Sequence, residues 1–202
     1  ATAAPALGQV TFSRADYPSH PGAPAIVSAD FNGDGWIDVA HANTGRDTVT
    51  VLLNGGDAAP GLAQRFDIAV GHGPFDMATA DFNRDNISDL VVANADNDTL
   101  SVLLGDGTGN FSRRDFAATR NPRGITTADV NGDARADIIY TGFLNNRVQI
   151  LLGDGAGGFS VGWSITGVAN QPQGIAAADF NNDGRQDFAV AYAGFDGGLA
   201  II

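Results

Sequence analysis

One nine-residue pattern occurs four times in the chain and constrains its fold more than any other feature. The first copy, Asp30-Phe-Asn-Gly-Asp-Gly-Trp-Ile-Asp38, carries Asp, Asn, Asp and Asp at positions one, three, five and nine. The same residue types recur at these positions in segments 81–89, 129–137 and 179–187, and the four starts lie 51, 48 and 50 residues apart. A period near 50 residues indicates a repeat architecture in which each copy is one supersecondary unit. We call these four segments the comb loops.

The residues around each comb loop predict four short strands. In the second copy, a small-residue strand runs from Met77 to Asp81, an apolar run at 90–93 follows the comb loop, and 99–104 alternates as a half-buried strand does. A Gly-rich turn then leads to a strand marked by an aromatic residue at Phe111. We therefore predict an all-β fold, a β-propeller built of four-stranded antiparallel blades with four repeats in this chain. A solenoid is the weaker alternative, because its repeats are usually shorter.

The repeats extend over the whole chain, so we predict one domain, 1–202. Counted from the aromatic strands, the repeats span about 9–56, 62–105, 110–153 and 158–202. The chain starts near one such strand, at Phe12, and stops in the third strand of a copy, at 199–202. This offset would let the first strand complete the last blade without leaving a loose sheet edge.

The comb loops supply the ligands that a calcium ion prefers. Ca²⁺ takes six to eight oxygen ligands from carboxylates, amides, carbonyls and water. Each comb loop offers side-chain oxygens at positions one, three, five and nine and the backbone carbonyl of position seven, so we predict up to four calcium ions, one per repeat. The predicted ligands are Asp30, Asn32, Asp34, the carbonyl of Trp36 and Asp38; Asp81, Asn83, Asp85, the carbonyl of Ile87 and Asp89; Asp129, Asn131, Asp133, the carbonyl of Arg135 and Asp137; and Asp179, Asn181, Asp183, the carbonyl of Arg185 and Asp187.

Two other interpretations of the comb loops were weighed. An EF-hand would need Glu at position twelve, where the chain has none. Alternatively, Asp, Asn and Gly occur in the loops only because they form turns.

Position six should need a positive φ, which Gly35 and Gly184 adopt freely, Asn86 tolerates and Ala134 adopts only with strain. We therefore predict that the third site is the weakest, and the second site the next weakest because Arg84 adds a positive charge.

Composition excludes several classes of function. All 23 acidic residues are Asp, all 11 basic residues are Arg, and the net charge of −12 opposes binding to nucleic acid, which requires clustered Lys and Arg. The absence of Cys excludes disulfides and thiolate sites. No apolar run reaches the roughly 20 residues of a membrane helix, so no membrane span is expected.

The repeated Ala-Asp-Phe-Asn-Gly-Asp-Gly segment, the apolar run after it and the Leu-Leu-Gly-Asp-Gly-x-Gly-x-Phe turn resemble a known family. They are similar to the FG-GAP (VCBS-type) repeats of integrin α-subunit propellers, of many secreted bacterial proteins and of some fungal lectins. The resemblance implies loops that bind Ca²⁺ and a secreted or cell-surface scaffold whose partner is an extracellular protein or a glycan. Because the family's propellers usually have seven blades, four units leave three interpretations open: a fragment, a small propeller, or a homo-oligomer in which a second chain completes the ring.

Two short motifs typical of enzymes occur in unsuitable contexts. The glycine pattern Gly153–Gly158 leads to another predicted strand, whereas a dinucleotide site needs a helix there. The segment Gly158-Phe-Ser-Val-Gly162 matches a hydrolase nucleophile elbow, but every His lies upstream of Ser160. We predict that the chain is not an enzyme; part of a secreted hydrolase, catalytic or not, is kept as an alternative.

Antiparallel strands should place the comb loops and the Gly-Asp-Gly turns at one end of each blade and the remaining loops at the other end, which we call the loop face. Its side chains differ between copies, as recognition loops do. An exposed aromatic could stack on a sugar or could pack between blades, and an Arg could bind an acidic sugar or a protein carboxylate or serve only solubility. The predicted function is calcium-dependent adhesion or recognition, with a lectin as the alternative. The candidate ligand-binding residues are Arg120, Arg123, Phe143, Asn145, Asn146, Phe195 and Asp196.

Overall fold

A computed structural model describes residues 15–17, 22–56, 59–168, 170–194 and 197–202, and all of its regular elements are β-strands. Phe12, Phe195 and Asp196 lie outside the described residues. The strands are β1 Ile26–Ala29, β2 Asp38–Asn43, β3 Thr48–Gly55, β4 Ala59–Ala69, β5 Pro74–Ala80, β6 Asp89–Asn94, β7 Thr99–Gly105, β8 Phe111–Ala117, β9 Pro122–Ala128, β10 Asp137–Gly142, β11 Arg147–Gly153, β12 Phe159–Thr166, β13 Pro172–Ala178, β14 Asp187–Tyr192 and β15 Gly198–Ile201.

The strands form four antiparallel sheets, which we call blades one to four. Blades one, two and three have four strands each, in the orders β1-β2-β3-β4, β5-β6-β7-β8 and β9-β10-β11-β12, and blade four contains β13-β14-β15. Every pairing joins strands that are consecutive in the chain, as in a meander. The predicted all-β architecture of repeated antiparallel blades is confirmed. Since each blade begins with the strand before the comb loop, the repeats counted from the aromatic strands are offset from the blades by one strand.

Each comb loop connects the first and second strands of its blade. In blade two, Ala80 at the end of β5 pairs with Asp89 at the start of β6, and the equivalent pairing recurs in the other blades. The strand β5 starts at Pro74, three residues earlier than predicted, because Pro is tolerated as the first residue of a strand. A register shift follows Pro74, so that Phe75 has no partner in the pairing between β5 and β6. This β-bulge turns the side chain out of the regular strand pattern.

The core lies between neighbouring blades. Apolar side chains of blades one and two form one buried cluster, those of blades two and three a second, and those of blades three and four a third. Phe31, at position two of the first comb loop, packs edge-on against Phe111 of blade two, with ring centroids 6.0 Å apart. Phe82 makes the same contact with Phe159 of blade three at 5.3 Å. A blade therefore buries apolar side chains on both faces of its sheet, which explains why a single repeat would not be stable alone.

The blades follow one another in an arc. The innermost strands β1, β5, β9 and β13 each pack against the next. Among the described residues, no packing of comparable extent joins blade four back to blade one. The predicted completion of blade four by the first strand of the chain involves residues outside the described ranges. The described part of the chain contains no helix that could span a membrane.

Asp76 is a partly buried carboxylate that links two blades near their innermost strands. Its side chain accepts hydrogen bonds from the amide of Met77 at 2.9 Å and from the amide of Ile125 in blade three at 3.0 Å. Burial raises the pKa of Asp76 above its ordinary value of 3.8, although the amides of Ile125 and Met77 oppose this shift. Because the folded pKa exceeds the unfolded one, protonation of Asp76 favours the folded state.

We expect Asp76→Asn to change how stability depends on pH. The stability that Asp76 contributes is complete below pH 3.8 and is lost as the pH rises through its folded pKa. The free energy of unfolding of Asp76→Asn, relative to the original protein, should therefore increase between acidic and neutral pH. Urea unfolding in chelator at both pH values measures this difference.

Asp106→Asn is the control for this measurement, with the opposite sign. The side-chain hydroxyl and then the amide of Thr108 lower the pKa of Asp106, so its contribution is present above the unfolded pKa and lost as the pH falls. The relative stability of Asp106→Asn should therefore decrease as the pH rises. A relative stability of Asp76→Asn that stays constant or falls toward neutral pH would contradict this role of Asp76.

Candidate functional site

The first Asp of each comb loop organises the loop backbone. One carboxylate oxygen of Asp30 accepts hydrogen bonds from the amides of Gly33 at 2.7 Å and Asp34 at 3.2 Å, and the other accepts from Gly35 at 2.8 Å. The first Asp of the other three comb loops likewise accepts from the amides of positions five and six. The loop therefore wraps around this carboxylate in all four copies.

The side chains at positions three and five hold each other. In the first loop, Asn32 Oδ1 accepts from the amide of Asp34 at 3.1 Å, and Asn32 Nδ2 donates to Asp34 Oδ2 at 2.9 Å. The remaining oxygen of Asp34 accepts from the amide of Trp36 at 2.8 Å. The same three contacts recur in the other comb loops. The side-chain oxygens at positions one, three and five thus lie within one pattern of short-range hydrogen bonds that all four comb loops share.

In blades one to three the Asp at position nine is buried and joins three segments of its blade, whereas Asp187 in blade four is partly buried and accepts from the amide of Phe180. Asp89 is fully buried; its two oxygens accept from the amide of Phe82 in the same loop and from the amide of Gly105 at the end of β7, both at 2.8 Å. Burial, opposed by these two amides and reinforced by the charges of Asp85 and Asp81, raises the pKa of Asp89 to about 6. Asp38 and Asp137 are equally buried, make the equivalent bonds and have raised pKa values for the same first cause, burial.

The backbone conformation of the comb loops confirms the expectation for position six and adds a second constraint. Position six has a positive φ in all four loops, including Ala134 at 60°. Position four also has a positive φ in every loop, and this feature was not predicted. Gly at position four of the first and third loops was the available signal, whereas Arg84 in the second loop concealed it. The position-four residues are Gly33 at 73°, Arg84 at 63°, Gly132 at 78° and Asn182 at 61°.

The donor chemistry of the comb loops fits Ca²⁺, because each loop combines three carboxylates, one amide oxygen and backbone carbonyls. In the first three loops, the carboxylates at positions one and five add to the effect of burial in raising the pKa of the Asp at position nine, and a bound cation would offset this repulsion. In the described part of the chain, however, no three acidic or His side chains converge closely enough to hold a metal ion as they stand. The calcium sites therefore stay a prediction.

The third comb loop contains an ion pair as well as a strained residue at position six. The guanidinium of Arg135 lies 3.8 Å from Asp133 Oδ2 and partly neutralises that carboxylate. Together with the positive φ of Ala134, this ion pair is a second physical reason to expect the weakest calcium affinity in the third loop.

The comb loops and the Gly-rich turns meet at one end of the blades. A Cβ added to Gly33 or to Gly107 would lie 3.2 or 3.3 Å from Cδ1 of Ile87, so one side chain touches a comb loop and a turn. Arg84 extends in the same way toward Gly155 in blade three. These contacts support the separation of the comb-loop end from the loop face.

On the loop face, a polar side chain of each blade is bound to the chain entering the next blade. Asp47 accepts from the amide of Gly73 at 2.9 Å, and Asp98 accepts from the amide of Asn121 at 2.7 Å. Asn146 does the same for the amide of Gln171, at 2.8 Å. This role was not predicted from the sequence, although an Asp or Asn stands immediately before the third strand of each of these blades.

Arg123 is held between two aromatic rings at the start of β9. Its guanidinium carbon lies 3.7 Å from the ring centroid of Phe143 and 4.9 Å from that of Phe75 in blade two, and its Nε donates to Asn121 Oδ1 at 3.0 Å. Like Phe75, Arg123 sits in a β-bulge after the first Pro of its strand. The ring face of Phe143 that this Arg covers is not free to stack on a sugar. Phe75 is a contact residue that sequence analysis missed, because only the fold brings it beside Arg123.

The other predicted ligand-binding residues are dispersed over the loop face. Arg120 is exposed, and no described carboxylate forms an ion pair with Arg120 or Arg123. The side chain of Asn145 lies against the backbone of Gly142. Asn146 borders a concave pocket of about 490 Å³ that it shares with Asn170, Gln171, Ala193 and Gly194.

The two enzyme-like motifs form ordinary parts of blade three. The glycines after Gly153 form the turn between β11 and β12, and Ser160 lies inside β12, paired with Leu152. The prediction that these segments form a hairpin is confirmed.

Ala134→Gly tests the strain in the third comb loop. A non-Gly residue in this left-handed conformation destabilises the folded state by about 1–2 kcal/mol. Replacing it by Gly removes this strain, but the greater conformational freedom of Gly in the unfolded chain offsets about 0.5–1 kcal/mol of the gain. We expect Ala134→Gly to raise the free energy of unfolding by roughly 0.5–1 kcal/mol, measured by urea unfolding in chelator. Gly35→Ala is the reverse change at position six, where a Cβ would meet no atom within 4 Å; it should destabilise by about 1 kcal/mol. If Ala134→Gly and Gly35→Ala had the same effect on the free energy of unfolding, strain at position six would be refuted.

The fold has counterparts among solved structures. BBS1N, from a crystal structure in complex with ARL6DN soaked with lead, has a TM-score of 0.64 and 14% identity over 89% of this chain and 53% of that chain. The V. cholerae biofilm matrix protein Bap1 has a TM-score of 0.55 and 16% identity over 88% and 26% of the two chains. A protein from Lactobacillus plantarum has a TM-score of 0.52 and 22% identity over 82% and 53%.

These neighbours are propeller-like, and at such low identity the likeness shows the fold alone. The chain spans about half or less of the length of each of these three structures. No curated protein matches the sequence. The model of the FG-GAP-like repeat matches residues 30–92, 81–140 and 135–190, which together cover most of the chain. The chain therefore belongs to the family of FG-GAP-like repeat proteins, with a β-propeller-like fold.

Proposed function

We propose that this chain is a non-catalytic, calcium-stabilised recognition module that works outside the cell and binds a protein partner through its loop face. The observation that carries the proposal is the division of each blade into two ends. The four comb loops repeat one backbone and hydrogen-bond pattern at one end, while most side chains at the other end differ from blade to blade. A repeated end suits a scaffold and a variable end suits recognition.

Calcium is the proposed stabiliser of the comb-loop end. The side chains at positions one, three, five and nine, with the carbonyl of position seven, would hold one ion in each loop. The ion would supply positive charge between carboxylates that otherwise repel one another, without any chemical reaction. Because Asp89 and its equivalents also bond to the end of the third strand, loop order and blade order are linked. Extracellular modules bind calcium at about 10⁻⁴–10⁻³ M, so weak sites suffice there.

The proposed extracellular role rests on the family and on this calcium chemistry. One solved neighbour is a biofilm matrix protein, and another was crystallised in a complex with a protein. The enzyme class is disfavoured because 12 of the 23 Asp residues belong to a pattern that repeats four times, whereas catalytic acid pairs are not normally repeated.

Arg123 is the proposed anchor for the partner, and a carboxylate is its proposed ligand. Two rings and Asn121 restrict the guanidinium, so less side-chain freedom is lost when it binds. A guanidinium has five N–H donors, and only Nε is engaged by a described acceptor, which leaves the planar terminal donors for a bidentate contact. Arg120 lies nearby in the chain and adds exposed positive charge to the same loop.

Glycan binding is the second candidate, and the pocket between blades three and four favours it. Asn146, Asn170 and Gln171 supply amide groups around a concavity of about 490 Å³. Amides both donate and accept hydrogen bonds, as sugar hydroxyls require.

Calcium should raise the melting temperature of the chain. One ion at one hundred times its dissociation constant stabilises by about 2.7 kcal/mol, and about 1 kcal/mol shifts the melting temperature of a chain this size by roughly 2–4 °C. We therefore expect a rise of at least about 5 °C in calcium over chelator, measured by differential scanning calorimetry. Replacing Asp34, Asp85, Asp133 and Asp183 together by Ala should abolish the rise.

Asp106→Ala with Asp154→Ala is the matched control for calcium. Both residues lie in Gly-rich turns at the comb-loop end and are exposed. Replacing them by Ala therefore reduces the local negative charge without removing a predicted calcium ligand. The variant should keep the calcium-dependent rise, whatever its starting melting temperature. No rise in the original protein would mean that the comb loops are only turns.

The loop-face anchor can be tested with arrays of acidic and neutral peptides and of glycans. We expect the chain to bind peptides that carry Asp or Glu. The double variant Arg120→Ala with Arg123→Ala should bind them at least about tenfold more weakly, since the loss of a charged contact costs over 1 kcal/mol. Arg65→Ala with Arg113→Ala removes the same charge from the outer strands, where both residues pair with Asp, and should preserve binding. Binding to glycans alone, unaffected by the arginine changes, would favour the second candidate instead.

A further inference from the structure

Leu144 is an exposed apolar residue next to the arginines of the loop face. It is 60% exposed, and its amide donates a hydrogen bond to the carbonyl of Arg120 at 3.4 Å. The equivalent backbone bond is made by Asp96 in blade two and by Gly194 in blade four. Asp96 is also exposed, although a complete blade follows it. The fold therefore requires no Leu at this position, and a following blade does not cover it.

Two half-buried aromatic rings continue this apolar surface around Arg123. Phe143 precedes Leu144 in the chain, and its ring contacts the guanidinium of Arg123, as the ring of Phe75 from blade two does. All of these residues belong to blades two and three, whose four strands are complete. Arginine and aromatic residues are enriched in protein interfaces relative to the rest of the surface. This part of the loop face therefore has the composition of an interface.

The loop of blade two that adjoins these arginines is acidic. Asn121, which follows Arg120, donates to the carbonyl of Ala95 from its side chain and to Asp98 from its amide, both at 2.7 Å. Asp96 in the same loop is exposed, and among the described residues no basic side chain forms an ion pair with it. A ligand bound at Arg120 therefore meets an acidic loop from blade two and an apolar loop from blade three.

We propose that the loop face binds a peptide segment that carries one acidic residue beside a large apolar residue. The carboxylate lies on Arg120 and Arg123, and the apolar side chain packs against Leu144 and Phe143. Asp96 acts against peptides that carry a second acidic residue on its side. The inference rests on the proposed carboxylate anchor, to which it adds the second group of the partner and a residue that discriminates between partners.

Each part of this arrangement has a separate physical effect. An apolar contact beside a guanidinium excludes water, and the exclusion of water strengthens the charged contact. Burial of the ligand's apolar side chain adds a hydrophobic contribution that a carboxylate alone lacks. A second carboxylate close to Asp96 would be repelled, and a repulsive element of this kind gives specificity.

The first experiment compares short peptides on one Gly-Ser background by fluorescence anisotropy with the complete chain. The peptides carry Asp with Leu on either side, Asp with Ser, or Asn with Leu. We expect Asp with Leu, in one of the two orders, to bind at least about tenfold more tightly than either control peptide. Equal affinity of the Asp peptides with and without Leu overturns the inference and leaves the carboxylate anchor standing. If no Asp peptide binds, the anchor itself fails and the inference fails with it.

Leu144→Ser tests the apolar contact. Because Leu144 is exposed, the variant should keep the melting temperature of the original chain. It should bind the peptide with Asp and Leu at least about tenfold more weakly, yet bind the peptide with Asp and Ser equally well to within about twofold. Leu144→Met should restore tight binding, and Val161→Ser, at an exposed apolar residue of the outer strand β12, should not weaken it. An equal loss for both peptides would mean that Leu144 only shapes the loop, which overturns the contact.

Asp96→Asn tests the discrimination between partners. A peptide with a second Asp next to the first should bind this variant at least about threefold more tightly than it binds the original chain, because a repulsive charge has been removed. Affinity for the peptide with a single Asp and Leu should change less. Asp106→Asn removes the same charge at the comb-loop end and should have no such effect. If the two variants behave alike, the repulsion comes from net charge, and the role of Asp96 is overturned.

Discussion

A buried carboxylate at position nine of the comb loop connects the parts of each complete blade. Asp89 binds the second residue of its own loop and the residue that ends the third strand, while its backbone starts the second strand. An unpaired charge at this depth would be costly, so both oxygens must be satisfied by the fold itself. The loop, the hairpin and the strand end therefore form as one unit, and the chain repeats that unit.

The repeated unit uses both faces of its sheet to bury apolar side chains, which leaves only the strand ends for other roles. Phe31 and Phe82 show how this works, since each reaches from a comb loop into the core shared with the following blade. Substitutions on the sheet faces would disturb two blades at once. Variation between copies is therefore greatest in the turns and at the strand ends, the region that contains Arg123.

The fold could be predicted from the sequence because the signals that specify it are local and repeated four times. The period, the strand alternation and the spacing of oxygen ligands all lie within one copy, and positive φ at position six followed from Gly35 and Gly184. The features that it missed depend on neighbours in space. The contact of Phe75 with Arg123 crosses two blades, and no pattern within one copy indicates that a guanidinium covers the ring of Phe143.

The loop face and the arrangement of the blades are physically linked. Asp47, Asp98 and Asn146 belong to turns of the loop face, and each binds the amide where the chain enters the next blade. These residues fix how one blade follows another at the same end where Arg123 bridges blades two and three. A ligand that binds across neighbouring loops would therefore meet positions set by the blade contacts and not by flexible loops alone. Such a surface loses little entropy on binding, which is the physical advantage of building recognition on the ends of a stacked scaffold.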